Sequence, residues 1–122
     1  MDQDVKDAGS QVVGVRPPPA RFICRAVGVT FVDGYPDNVH ALDPGEPIVL
    51  EHETDNEHDE WAVLVRSPSL GMLGHLPRSL AARVAPYLDA GNTIRAVVGA
   101  VLVTPGAEDL PGVSLVCERL DP

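Results

Sequence analysis

"WAVLVRSPSLGMLGHLPRSLAARVAPYLDAG", residues 61 to 91, changes its hydrophobic period midway, and that change decides the fold. "WAVLVRS" is a nearly continuous apolar run, and "LGMLGHL" is a second, glycine-bearing one joined to it through Ser67, Pro68 and Ser69. Both read as strands. From Pro77 the spacing turns helical, because Leu80, Val84 and Leu88 recur every four residues and form one stripe. Pro77 suits the first turn of that helix, where its missing donor costs nothing, and Gly91 suits the position just past its end. Pro86 removes a backbone bond to residue 82 and crowds the preceding turn. The sequence therefore predicts a kink there, or a second short helix restarting at Pro86.

Upstream, "RFICRAVGVTFV", residues 21 to 32, is β-branched and apolar, which predicts a long strand that bends or bulges at Gly28. Residues 33 to 47, "DGYPDNVHALDPGEP", carry turn chemistry around "NVHAL", a single helical turn in a long irregular connection. "PIVLEHE" alternates as a strand with Ile48 and Leu50 on one face. Downstream, "TIRAVVGAVLV" and "VSLVCERL" are strands on either side of the loop "TPGAEDLPG". Residues 1 to 20 mix charges, Gly, Ser and three consecutive prolines, and read as a disordered arm ending in a polyproline spacer. That leaves one domain, 21 to 122. Six short strands with one interrupted helix predict a mainly β fold: a small antiparallel barrel of the OB or SH3-like kind, capped by the helix.

Aromatic residues make up only 4% of the chain, so the core must be built from Val, Leu, Ala and Ile. Formal charge is −9, unevenly spread. Between Arg25 and Arg66 there is no Lys or Arg, while the interval holds ten acids. A polyanion is repelled over much of such a surface and can approach only where arginines gather, which disfavours a protein that coats nucleic acid generally. Cys24 and Cys117 form no CxxC pair. Two buried thiols and a bridge between paired terminal strands both remain open. No basic-then-apolar leader and no apolar run near ~20 residues is present, so the expected location is cytoplasmic, without membrane contact.

The acidic loop "ETDNEHDE", residues 53 to 60, is the candidate site. An EF-hand starting at Asp55 needs Gly where Glu60 stands and Glu where Arg66 stands. A zinc site would have to assemble from His52, His58 and His75, without any HExxH motif or nearby Cys. No GxSxG, P-loop or Cys-His arrangement points to catalysis. The expectation is no metal, no cofactor and no enzyme. The plain alternative is that Asp55 and Asn56 form a solvated turn.

The order of residue types is more specific than a turn requires. DN-x-x-D-x-x-A-V-x-V is followed by G-x-L-G-H-L-P-x-x-L-A, and with "AVGVTFVDG" this resembles the HIRAN domain over about Ala26 to Val103. HIRAN domains occur at the front of DNA-translocating ATPases that remodel stalled forks, and alone or fused to nucleases in bacteria. The resemblance implies an OB-like barrel whose pocket holds a single-stranded DNA 3′ end. It implies that Asp59 accepts the 3′-hydroxyl, that Asn56 orients the loop, and that Phe31 stacks on a base. His75 and Arg78, beside the helix start at Pro77, would face phosphate. His58 stands where end-binding members carry a tyrosine, and Thr30 and Val32 replace basic and aromatic residues flanking Phe31. The implied partner is a single-stranded DNA end, bound weakly and salt-sensitively, with a helicase or nuclease alongside in DNA repair or replication. The alternative is a protein-interaction adaptor that keeps the barrel without DNA binding.

Overall fold

The structure is a computed structural model that describes residues 16–120. The expected arm therefore lies outside the described residues from 1 to 15. The chain is already packed at Pro18, which is fully buried, and the Pro17 carbonyl accepts hydrogen bonds from Arg83 Nη2 and Nε at 2.7 and 3.2 Å.

Six strands form one antiparallel sheet: β1 (Arg21–Arg25), β2 (Pro47–His52), β3 (Val63–Ser67), β4 (Gly71–His75), β5 (Ile94–Thr104) and β6 (Ala107–Arg119). Their order across the sheet is β1-β6-β5-β2-β3-β4. A one-turn helix, α1 (Asp37–His40), lies in the long β1–β2 connection, and α2 (Arg78–Asp89) follows β4. The two end strands meet at one point. Val27 donates its N–H to the His75 carbonyl and His75 donates back to Val27, both at 2.8 Å. This bridge curls the sheet into a half-barrel.

Alternation at period two builds the core. Val63, Val65, Leu73, Val84, Val98, Val113, Leu115 and Cys117 are essentially inaccessible, and none is aromatic, as the composition requires. Ile48 faces this core while Val49 faces out. Each fully buried Val or Leu side chain stabilises the fold by roughly 1.5–3 kcal/mol relative to exposure, so aliphatic packing suffices without large rings.

Three local expectations are corrected. The first strand ends at Arg25 rather than Val32, because Gly28 adopts a left-handed φ of 75° and turns the chain into a 3-10 turn, Val29–Phe31. The helix is a single element through Pro86. Ala82 and Pro86 lie on its half-exposed flank, so the carbonyl left without a donor is not sealed in the core. Its buried face is Ala81, Val84 and Ala85, with Leu80 and Leu88 half-buried; small residues let α2 press close to the sheet. Finally, most of "TPGAEDLPG" is not loop but strand. Thr104 pairs with Ala107 around Pro105-Gly106, and Gly106 at φ 86° allows that two-residue turn.

Cys24 and Cys117 are free thiols on the neighbouring strands β1 and β6. Cys24 faces Leu115 and Cys117 faces Phe22, so the two are diagonal rather than opposite. Their mutual hydrogen bond lowers the pKa of Cys24, and the same bond together with burial pushes Cys117 far up.

Closure depends on Gly74. A Cβ there would stand 2.6 Å from the Val27 carbonyl oxygen, which itself accepts the bridge. Gly74→Ala should destabilise the fold by about 1–3 kcal/mol in denaturant unfolding. It should also speed exchange of the Val27 and His75 amides ahead of the core amides; unchanged exchange would mean that closure does not depend on this contact.

Candidate nucleic-acid interface

The acidic loop is tied down by its own side chains. Glu53 donates its N–H to the Ala62 carbonyl at 2.8 Å, closing the base of the loop. Asn56 Oδ1 accepts the N–H groups of His58 and Asp59 at 2.8 and 2.9 Å, the reach of an Asx turn. Asp59 Oδ1 accepts the Trp61 N–H at 3.0 Å. The loop is thus a fixed shape, with Asp55, Glu57, His58 and Glu60 exposed on it.

Glu53 joins this loop to β4. Its Oε1 receives Asn56 Nδ2 at 2.9 Å and His75 Nε2 at 2.8 Å. Those hydrogen bonds, Asn56 first and His75 second, hold the Glu53 carboxyl below the usual carboxylate range against its partial burial. The same His75 carries the closing backbone bridge, so barrel closure and loop placement meet in one residue.

A hollow of about 210 Å³ opens between the loop and the start of α2. Asn56, His58, Asp59, His75 and Arg78 line it, with Val27, Ala62 and Leu76 supplying apolar wall. Arg78 is 77% exposed, donates Nη2 to the His58 carbonyl at 3.2 Å, and brings Nε within 3.9 Å of Asp59 Oδ2. Asp59 Oδ2 thus faces Arg78, while Oδ1 stays on the loop amide. Phe31 is elsewhere. At 90% exposure on the 3-10 turn, it lines a separate hollow of about 360 Å³ with Val32, Asp33, Asn38, Leu70 and Met72.

The structure thus brings together five of the six residues singled out by sequence and sets Phe31 apart. Two residues that frame the loop were missed or weighed for another role. Glu53 looks like one acid among many, and only its place at the end of β2, paired by backbone to Ala62, makes it a hub. His52 is the other: Nδ1 lies 2.9 Å from Asp89 Oδ2, Nε2 lies 2.7 Å from the Glu60 carbonyl, and the ring stacks on Trp61 at 5.7 Å. Asp89 is at the far end of α2, and no spacing rule links the two. Of the three histidines weighed as a zinc set, His52 and His75 bind different partners and His58 is exposed on the loop, and among the described residues no group of three or more His, Cys, Asp or Glu could hold a metal ion.

A curled antiparallel sheet with a helix over one end and a polar hollow at the strand-to-helix junction defines a small barrel-like binding module. The HIRAN domain family model matches residues 20–111, and the chain belongs to that family, whose members are known as DNA-binding modules. Two solved structures share the fold. A protein from Lactobacillus plantarum, a structural-genomics target, is 22% identical with a TM-score of 0.61, covering 79% of this chain and 91% of that one. The HIRAN domain of human HLTF is 19% identical with a TM-score of 0.59, covering 83% and 78% respectively. No curated protein matches the chain.

The His52 side chain is only 12% exposed, and both its nitrogens face acceptors, which only the doubly protonated ring satisfies. Burial pushes its pKa down, but the Glu60 carbonyl and the Asp89 carboxylate outweigh burial and raise it. A raised folded-state pKa adds stability that is fully present below the unfolded value of about 6.5 and is lost as pH rises through the folded one. His52→Gln should therefore cost about 1–2 kcal/mol at pH 5.5, and less once pH passes that window. Urea unfolding of both proteins across pH 5.5 to 9 reads this directly; a gap independent of pH would mean that the ring acts only by packing.

Proposed function

We propose that the chain is a non-catalytic module that takes a single-stranded or frayed DNA 3′ end into the hollow beside Asp59. One observation supports this above all: Asn56, His58, Asp59, His75 and Arg78, drawn from a loop, a strand and a helix start, line a single hollow. Asp59 keeps Oδ1 on the loop amide and offers Oδ2 to a terminal hydroxyl. A 3′-phosphate there meets a like charge, at a cost of about 1–4 kcal/mol near 4 Å depending on exposure. His58 is exposed and presents a ring for stacking on the terminal base, and Phe31, one hollow away, meets a base further from the end. Arg78 is the first phosphate contact, since His75 spends Nε2 on Glu53.

Binding in this acidic surround is weak and falls steeply with salt. The setting that fits is DNA repair or replication in the cytoplasm, with a helicase or nuclease delivering the end. A second reading, an adaptor for a basic protein, is favoured by the exposed acids Asp55, Glu57 and Glu60 on the loop and by a hollow whose one arginine already faces Asp59.

Fluorescence anisotropy at low salt should show a short 3′-hydroxyl oligonucleotide binding at least about tenfold more tightly than its 3′-phosphate form, as a difference near 1.4 kcal/mol requires. Asp59→Asn should abolish that preference while the protein stays folded. Equal affinity for both ends would discard end recognition, and binding of a basic peptide with no oligonucleotide binding would select the adaptor.

A further inference from the structure

The acid-only interval begins directly after Arg25, yet the strand before it is basic. Residues 21 to 27 alternate strictly: Ala26 is buried and Phe22 and Cys24 are half-buried, while Arg21, Ile23, Arg25 and Val27 all face solvent, with Ile23 71% exposed. At about 3.3 Å per residue, this outward row runs roughly 20 Å and ends at Val27, which lines the hollow.

Four other arginines are engaged, Arg83 with the Pro17 carbonyl and three with acids. Arg66 pairs with Glu51 at 2.8 Å, Arg95 with Glu118 at 2.9 Å, and Arg78 lies against Asp59. Among the described residues, neither Arg21 nor Arg25 has a carboxylate partner. Arg25 is held instead by packing: its guanidinium lies over bare Gly112, where a Cβ would come within 2.5 Å of Nη2. Bare Gly112 leaves room for the guanidinium against β6, with none of its donors spent on an acid. Arg21 lies beside the trough lined by Arg95, Val97, Val116 and Glu118 on the same outer face.

We propose that the outward row of β1, Arg21-Ile23-Arg25 leading to Val27, is the track for the single strand that precedes the bound end. Phosphates meet the two arginines, and sugar or base faces lie on Ile23 between them. This rests on the DNA reading of the hollow, and the chemistry selects the same partner: a polyanion with apolar faces. A surface of net charge −9 leaves such a partner few other approaches.

The test compares a 3′-hydroxyl trinucleotide with a strand of about twelve nucleotides, the range that single-strand modules of this size cover. Arg21→Gln/Arg25→Gln should weaken the long strand at least about tenfold and flatten its log–log salt slope by about 1.4, for two lost phosphate contacts. The trinucleotide and the preference for a hydroxyl end should be untouched. Arg25→Lys, which keeps the charge, should keep the slope and so exclude a merely structural loss. An unchanged slope in the double variant, no binding of the long strand by the parent protein, or tighter binding of poly-glutamate than of DNA would each overturn the track. Loss of end preference with the slope intact would instead sink the end-binding hollow and leave the track standing.

Discussion

Two reciprocal hydrogen bonds, from Val27 N–H to His75 carbonyl and back, carry the architecture. They join the segment after β1 to β4, which are otherwise the free margins of the sheet, and so tie the two margins together at one point. Only a residue without a side chain could stand beside that bridge, and Gly74 does. The β4 bulge supports the same contact: Val65 faces Gly74 while Arg66 faces Met72, so Leu73 is the extra residue and the strand bends toward Val27.

The hollow follows from that closure. His75 presents its backbone to Val27 and its ring to Glu53, and Glu53 in turn holds Asn56, whose carbonyl oxygen shapes the loop. The His52 clamp between Asp89 and the Glu60 carbonyl fixes the other flank of the loop to the end of α2. A loop crowded with acids is ordinarily expected to splay, because like charges repel. Here the charges sit on a frame of hydrogen bonds donated by backbone amides and neutral or cationic side chains, so the fold tolerates them.

Much of this could be read in the sequence. The switch of period at Pro77 located the helix, alternation located β2, short apolar runs located β3 and β4, and the DN-x-x-D order with G-H-L-P pointed to the family. Other features were only half legible. The sequence marked a bend at Gly28 but not that its left-handed φ ends the strand and curls "VTF" into a 3-10 turn. Pro105-Gly106 looked like part of a loop because both residues are turn formers, and only pairing of Thr104 with Ala107 shrinks the loop to those two. In the site, Asn56, His58 and Asp59 were visible because one loop carries them. Glu53 was not, and His52 was weighed only as a metal ligand, because partners of both come from other elements. Phe31 was placed by the resemblance to HIRAN domains, and here it sits on the 3-10 turn after Gly28 and lines a neighbouring hollow.

The diagonal thiols give the closed sheet a chemical clock. Cys117 is inaccessible within the hydrophobic core, while Cys24, two residues along on the neighbouring strand, is half-buried. An alkylating reagent reaches Cys117 only when the core opens, so its labelling rate counts the excursions in which the half-barrel loses its packing.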